Sequence, residues 1–408
     1  MSKHSLTAAA PIVLWHGAVL LCLSVVVALT SCRGGNTASS AASEQGDTLQ
    51  LKYASLLTIV RHEGYTDVTV RNPWHPGKTL HRYRLVPATV ASSSASDQSD
   101  AVLPYQTAST ASAEADVTLI RTPIRRAAVF TTVHCSLLTQ LGVGESIVAV
   151  ADSKYIKIPF IHKQISKGLV VDCGNGLNPV VEKIMDVKPD VIMLSPFENS
   201  GGYGKVEELG IPLVECAEYM ENSPLARAEW MKFYGLLFGE ARQADSLFAA
   251  VDSSYTALRQ QAAEAGQGRS VLMDKVVGSV WYVPGGCSTI GQMVKDAGGQ
   301  YYWADDDHSG SLSLPFETVL ERSGEADVWL LRYSSDHEWS LAELLSGHRG
   351  YEQLKSFRTG EVYGCNVEES LFYEQSPFRP DYLLSDFIQI FHPGTTNLPP
   401  LRYYKKMQ

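Results

Sequence analysis

The chain has 408 residues, with 34 lysines and arginines against 44 aspartates and glutamates, so its formal net charge at pH 7 is -10. That length is sufficient for two or three structural units, each with its own hydrophobic core. An acidic chain lacks the basic surface that nucleic-acid binding requires, so we expect no nucleic-acid partner.

The first 32 residues have the pattern of an export signal. An apolar run at residues 18–29 is too short to cross a membrane comfortably. Small residues stand directly before Cys32 and resemble the bacterial lipobox, in which the cysteine is lipidated. We therefore predict a lipoprotein signal peptide at residues 1–32, a lipid anchor on Cys32 and a flexible tether at residues 33–48. The alternative is a buried cysteine behind an ordinary export signal.

Cysteines are few in the rest of the chain. Their number is odd and no C-x-x-C spacing occurs, so a metal cage built of cysteines is not expected. Most are predicted to be small core residues. One disulfide bond is also compatible with the sequence, but the two cysteines that would form it are not assigned. The five are Cys135, Cys173, Cys216, Cys287 and Cys365.

Residues 49–116 are predicted to form an N-terminal extension. The turn-forming residues 72–77 predict a β-hairpin. Residues 91–115 are rich in Ser, Ala and Thr and predict a loose excursion between strands. Three segments have a strand-like composition: residues 57–60, 67–70 and 80–86.

From residue 117 onward, strand and helix patterns alternate, and the stretch 178–215 is the clearest example. Apolar residues recur at helical spacing up to Val187, and the helix is expected to end before Pro189. The apolar run 191–194 predicts a strand buried on both faces of a parallel sheet. The Gly- and Ser-rich loop 195–203 follows that strand, at the edge where ligands bind in open α/β sheets.

The arrangement of these patterns predicts the overall architecture. Residues 117–223 are predicted to form a first α/β lobe, and residues 224–266 a long helix that Gly235 or Gly239 interrupts. Residues 267–408 are predicted to form a second lobe. The predicted fold class is therefore α/β: two Rossmann-like lobes joined by a long rigid helix, a ligand cleft between them and an N-terminal β-hairpin extension.

Four segments carry a resemblance to a known family. In their order and spacing they resemble the periplasmic substrate-binding proteins of ABC importers for ferric siderophores, haem and vitamin B12. The resemblance covers about residues 121–393. The segments are RRAAV at 125–129 with LGV at 141–143, NPVVEKI at 178–184 with KPDVI at 188–192, LPFETVL at 314–320 with ADV at 326–328, and PFRPDYLLSDFIQIFHP at 377–393.

The resemblance implies a function and partners. Such a protein is not an enzyme but captures a metal chelate and delivers it to the permease and ATPase subunits of an ABC importer. It implies a lipid-anchored monomer in the periplasm, with no cofactor of its own. The family places one acidic residue on the outer tip of each lobe to dock onto permease arginines, and Glu182 and Glu317 stand at these positions. Each lies near the amino end of its predicted helix, where the helix dipole favours a carboxylate. The alternative for each is an ordinary solvated glutamate.

Loops at the predicted strand ends supply the candidate ligand-binding residues. Aromatic rings suit a flat ligand such as a corrin or porphyrin, whereas Lys154 and Arg332 suit an anionic iron chelate. Aromatic residues outnumber cations here, which favours a corrinoid or haem-like cargo over a triply anionic siderophore. Because Trp281 and Tyr282 alternate within a strand, one of them is expected in the core. The candidates are Thr132, Lys154, Tyr155, Phe197 and Tyr203 in the first lobe, and Trp281, Tyr282, Ser311, Arg332, Tyr333 and Tyr373 in the second.

Two functions from other classes stay open: an exported α/β hydrolase and a surface scaffold lipoprotein. The sequence has no G-x-S-x-G elbow to support the hydrolase, while the extension at residues 49–116 favours the scaffold. His134 and His337 could serve as axial ligands to a metallated macrocycle. The acidic run before His308 is expected to be a solvated loop, and no metal site is predicted.

Overall fold

The computed structural model describes residues 46–88, 117–198 and 202–408. The predicted signal peptide, the anchor at Cys32 and the low-complexity segment 91–115 lie outside those ranges. Within them the chain forms three five-stranded sheets and one three-stranded sheet. The predicted α/β class with two lobes is confirmed, and the extension adds a sheet of its own.

The first sheet belongs to the N-terminal extension. Its strands pair in chain order, antiparallel except for the last pair. The predicted hairpin forms, with Val68 opposite Tyr83. Two predicted boundaries differ from the structure, because β1 takes residues from the predicted tether and β5 pairs here rather than in the first lobe. The strands are Asp47–Thr48 (β1), Leu57–His62 (β2), Tyr65–Arg71 (β3), Thr79–Pro87 (β4) and Val117–Thr122 (β5).

The first lobe is an all-parallel sheet with the order β10-β9-β6-β7-β8. The apolar run 191–194 forms its strand β9, which is buried along its whole length, as its continuous apolar composition predicts. Its strands are Ala127–Val129 (β6), Ile147–Val150 (β7), Val171–Asp172 (β8), Val191–Leu194 (β9) and Leu213–Glu215 (β10). Its helices are Thr132–Gln140 (α1), Pro159–Ser166 (α2) and Val181–Val187 (α3).

Three helices follow the first lobe where the sequence predicted one long helix. They are Pro224–Glu229 (α4), Met231–Phe238 (α5) and Ala241–Ala265 (α6). The main interruption is at Gly239, whose φ of 79° lies in the left-handed region. A side chain there would also meet Pro123, since an added Cβ lies 3.0 Å from the proline ring. Within the predicted linking helix at residues 224–266, only α6 is long, with 25 residues and a length of about 37 Å.

The second lobe is a sheet with the order β14-β11-β16-β17-β18, parallel except for its last strand. The strand predicted to hold Trp281 and Tyr282 forms in a separate antiparallel sheet with the order β12-β13-β15. The strands are Ser270–Met273 (β11), Val276–Val277 (β12), Val280–Pro284 (β13), Gln300–Tyr301 (β14), Ser311–Leu314 (β15), Val328–Tyr333 (β16), Val362–Asn366 (β17) and Lys405–Lys406 (β18). The helices are Thr289–Asp296 (α7), Phe316–Ser323 (α8), Leu341–Gly347 (α9), Lys355–Arg358 (α10), Phe372–Gln375 (α11) and Pro380–Phe391 (α12).

Helix α6 contacts both the extension and the second lobe. Near its start, the ring of Phe248 meets Tyr53 of the extension edge-on, with centroids 6.3 Å apart. Farther along, the Tyr255 hydroxyl donates to Asp296 of α7 at 2.7 Å. The helix thus joins the extension to the second lobe. No helix in the described part of the chain has both the length and the apolar character needed to traverse a membrane.

Candidate ligand-binding cleft

The two lobes meet through loops at the carboxyl ends of their parallel strands. Thr132, directly after β6, donates its hydroxyl to Glu374 in α11 at 3.1 Å. The backbone N–H of Lys157, beyond β7, donates to the same carboxylate at 3.1 Å. The Lys157 ammonium pairs with Glu368, which follows β17. The strand ends of the two sheets therefore face each other, which is where α/β proteins bind ligands.

Exposed aromatic side chains lie at this junction. Tyr155 is 59% exposed, Phe197 48% and Tyr373 47%, and they follow β7, β9 and β17. Tyr155 lies two residues before Lys157, and Tyr373 directly precedes Glu374, so both flank the contacts that join the lobes. Large apolar side chains left in water after the facing strand ends favour an apolar partner.

Further apolar and cationic groups at the same edge were missed by sequence reasoning. Leu177 follows β8 and Val277 lies in β12, just beyond β11, and both are exposed. Lys275 also follows β11, with its ammonium 5.5 Å from the ring centre of Trp339. Burial lowers the pKa of Lys275, although Asp274 opposes the effect. For Lys275 the signal was its position two residues after the apolar run 271–273; Leu177 had no such signal, because the short strand β8 was not predicted.

Lys154 remains available for an anionic group, whereas Arg332 does not. The Lys154 ammonium lies 4.6 Å from the ring centre of Tyr155. Arg332 is held in a two-pronged pair by Asp274, with N···O distances of 2.9 and 2.6 Å. Burial lowers the pKa of Arg332, but the Asp274 carboxylate outweighs it and keeps that pKa above its ordinary value. The guanidinium charge is therefore already neutralised within the protein.

Two of the candidate aromatic residues lie in the core. Trp281 has no exposed surface, and its indole N–H donates to the carbonyl of Met273 at 2.9 Å. Tyr282, its neighbour on β13, points outward, so the alternation expected of this strand is present. Tyr333 is buried against Trp339, with ring centroids 4.6 Å apart, and donates to Glu338 at 2.7 Å. The structure contradicts a cleft role for Trp281 and Tyr333, because their neighbours already enclose them.

The remaining candidates divide between surface and structural roles. Tyr203 donates to Glu215 at 2.6 Å and thereby braces the end of β10. Ser311 is exposed on the three-stranded sheet, as is Tyr282. His337 is exposed and bonded to acidic neighbours. His134 is 1% exposed, beneath the cleft, so it cannot be an axial ligand to cargo held there.

Glu182 and Glu317 occupy equivalent positions in the two lobes. Both side chains are exposed, and each lies in the first turn of its helix, α3 or α8. Each helix directly precedes a parallel strand near the middle of its sheet, β9 or β16. A carboxylate at these helix starts is favoured by the helix dipole and is open to a partner.

The match to known proteins agrees with this geometry. A family model described as periplasmic binding protein matches residues 128–368, more than half of the chain. The chain belongs to the periplasmic binding protein family. The predicted family is thus confirmed, and its members are binding proteins rather than enzymes. Membership assigns this binding protein to a periplasmic or extracellular location.

Individual relatives are distant but cover most of the chain. An uncharacterized lipoprotein of Methanocaldococcus jannaschii is 25% identical over 394 residues, which are 92% of each protein. A periplasmic heme binding protein from Pseudomonas aeruginosa superposes with a TM-score of 0.54 at 13% identity, covering 70% of this chain and 98% of its own. The periplasmic vitamin B12 binding protein of Vibrio cholerae superposes with a TM-score of 0.50 at 17% sequence identity, and the match covers 66% of this chain and 96% of that one. The two structural similarities show the shared fold.

Proposed function

We propose that this binding protein is held at a membrane by a lipid on Cys32 and captures a metal chelate between its lobes. It then delivers the chelate to an ABC permease. Family membership supports a binding role, and the lipoprotein relative supports the anchor. The observation that carries the proposal is the group of exposed rings at the facing strand ends: Tyr155, Phe197 and Tyr373.

The composition of the cleft favours a flat, largely apolar chelate. Three exposed rings stand at the junction, and the guanidinium of Arg332 is already paired with Asp274. Lys154, whose ammonium lies beside the exposed ring of Tyr155, is the cation proposed to meet an acidic substituent at the ligand edge. This balance matches a haem or a corrinoid better than a ferric siderophore with three negative charges. Two similar folds belong to proteins that bind haem and vitamin B12, which agrees with this class.

Capture is expected to require only a small closure of the lobes. The connection between the lobes runs through the packed helices α4, α5 and α6, and packed helices move less than flexible hinge strands. The pairs Thr132–Glu374 and Lys157–Glu368 already join the lobes. Cargo selection would therefore depend on a largely pre-formed gap.

Cargo titration of matched tyrosine variants tests the proposal. Tyr155→Ala and Tyr373→Ala are each expected to weaken the binding of haem or cobalamin about 2- to 13-fold, since one aromatic contact contributes roughly 0.5–1.5 kcal/mol. The control is Tyr302→Ala, because Tyr302 is also about half exposed but follows the edge strand β14 and bonds to Arg322. Equal affinities in the parent and both cleft variants would refute the assignment of the cleft.

A further inference from the structure

Three metal-ligating side chains meet beneath the floor of the cleft. His134 lies in α1, and Cys216 and Glu218 follow the end of β10. All three are buried, and one ligand atom from each lies within 4.8 Å of the others. Imidazole, thiolate and carboxylate are the ligands that zinc takes in proteins. None of the three belongs to the proposed cargo site.

One atom of the cluster has no hydrogen-bond partner. The Nε2 atom of His134 is buried and makes no hydrogen bond within the described part of the chain, although Glu218 Oε2 lies 3.5 Å away. The other ring nitrogen, Nδ1, bonds to the hydroxyl of Thr131. If Nδ1 carries the proton in that bond, the lone pair of Nε2 points toward Glu218. This is the arrangement of a metal-binding histidine, whose outer nitrogen is held by a hydrogen bond.

The spacing of the cluster fits one ion. Two ligand atoms about 2.0–2.1 Å from a tetrahedral zinc are about 3.4 Å apart. The observed separation of 3.5 Å between Nε2 of His134 and Oε2 of Glu218 is close to this value. The Cys216 sulfur lies within 4.8 Å of both of these atoms, so a change of its side-chain torsion can bring it to a zinc–sulfur distance of about 2.3 Å.

The surroundings orient the carboxylate and balance the charge. The Tyr234 hydroxyl donates to Glu218 Oε2 at 2.9 Å, and Arg227 lies 3.9 Å from the other carboxylate oxygen. The arginine opposes a cation, but a thiolate on Cys216 together with the Glu218 carboxylate supplies two negative charges. The ring of Phe378, from the second lobe, meets His134 edge-on with centroids 5.8 Å apart and covers one side of the imidazole.

We propose that His134, Cys216 and Glu218 form a resident zinc site in the first lobe, distinct from the cargo cleft. The ion would fasten the start of α1 to the loop after β10. A water molecule would take the fourth position of the tetrahedron. The site stiffens the floor of the cleft and takes no part in holding the chelate.

The competing occupant of the cluster is a proton on His134. Burial lowers the pKa of His134, but Cys216 and Glu218 outweigh it and raise that pKa to about 10. In a metal-free protein the imidazolium then pairs with Glu218. Zinc has to displace this proton together with the proton of the thiol, as metals do at thiolate sites. The two occupants predict different metal contents.

Metal analysis of the full chain decides between them. The protein is stripped of metal with a chelator, incubated with zinc sulfate and passed through a desalting column. Its zinc content is then measured by inductively coupled plasma mass spectrometry. We expect about one zinc ion per chain. Replacement by Co²⁺ is expected to give a thiolate-to-cobalt charge-transfer band in the near ultraviolet, which reports directly on Cys216. Both measurements use the parent protein and do not depend on a variant that folds.

Matched variants locate the ion. Cys216→Ser and His134→Gln are expected to lose the retained zinc, and Cys216→Ser the cobalt band. Cys287→Ser removes the exposed cysteine and is expected to change neither. His308→Ala removes the exposed histidine beside Asp306 and Asp307 and controls for zinc on the surface. A parent chain that retains no zinc, a cobalt spectrum without a sulfur band, or zinc that persists in both cluster variants would overturn the proposal.

Discussion

Two buried carboxylates fasten the N-terminal extension to the rest of the molecule, and Glu229 allows the sharpest prediction. This residue ends α4 and has no exposed surface. Its oxygens accept the backbone N–H groups of Lys52, Tyr53 and Ala54 at 2.9, 2.7 and 3.0 Å. The ammonium of Lys232 is a fourth donor, at 3.0 Å. Glu221 binds the next two residues of the same segment in the same manner.

Replacement of Glu229 by alanine leaves these donors without an acceptor. A buried donor that loses its partner costs about 1–3 kcal/mol, and breaking a buried charge pair costs roughly 3–5 kcal/mol. Because water can enter beside a surface segment, we expect about 3 kcal/mol for Glu229→Ala. Glu229→Gln retains one acceptor oxygen and is expected to cost about half as much.

Amide hydrogen exchange measures this loss at the affected groups. A loss of 3 kcal/mol corresponds to an increase of about 100-fold in the exchange of the amides of Lys52, Tyr53 and Ala54. Glu264→Ala, at an exposed position in α6, is the matched control and is expected to leave these amides protected. Unchanged exchange in Glu229→Ala would refute the argument that this carboxylate holds the segment.

The pKa of Glu229 adds a dependence on pH. Burial raises this pKa, but the three backbone N–H groups outweigh burial, so the pKa in the folded protein lies below its ordinary value. A lowered carboxyl pKa contributes stability above the ordinary value, and that contribution is lost as pH falls below it. We therefore expect the protection of these amides to decrease on acidification in the parent and to change less in Glu229→Gln.

Three further predictions concern docking, acid stability and anchoring. Charge reversal at Glu182 or Glu317 is expected to abolish stimulation of the permease-bound ATPase without changing cargo affinity, whereas Asp186→Lys, one turn farther along α3, should reduce stimulation far less. Lys355 holds the pKa of Asp327 at about 2, below its ordinary value of 3.8, so the free energy of unfolding should fall as the pH drops from 3.8 to about 2. The loss should be less than about 1 kcal/mol, because both side chains are partly exposed. In acid denaturation curves, Asp327→Asn should make this fall smaller. Cys32→Ser is expected to release the chain from the membrane fraction into the soluble one.

Each of these has an outcome that contradicts it. Equal ATPase stimulation by the Glu182→Lys and Asp186→Lys proteins would remove the docking role. Acid unfolding curves that coincide for the parent and Asp327→Asn would show that the pair with Lys355 contributes nothing. A Cys32→Ser chain that still partitions into detergent with the membrane would disprove the lipid anchor, with Cys287→Ser as the cysteine control.

The parallel sheets were predictable because their strands are buried on both faces. A continuous apolar run such as residues 191–194 is compatible with few other environments. The partner of a short strand was not predictable. Val117–Thr122 has the same local composition as strands of the first lobe, yet it pairs with Thr79–Pro87 across the undescribed segment 89–116. The pairing of a strand depends on packing against residues that are distant along the chain, so its local sequence does not determine its partner.

The position of the cleft at the strand ends was predictable from the sequence, but the contacts that each candidate side chain makes were not. Phe197 follows the predicted strand 191–194, and a location after a strand end is readable from the sequence. The pairing of Arg332 with Asp274 and the burial of Trp281 depend on neighbours that are distant along the chain. Alternation within β13 limited the choice to Trp281 or Tyr282 without deciding it. The same holds for the His134 cluster, whose members lie far apart in sequence.

Hydroxyl-radical footprinting of the protein with and without saturating cargo tests the central claim most directly. If a chelate lies between the facing strand ends, oxidation of Tyr155, Phe197 and Tyr373 should fall when haem or cobalamin is added, while oxidation of Tyr302 stays constant. Bound cargo that leaves the three cleft rings as reactive as in the free protein, or that protects Tyr302 instead, would contradict the account.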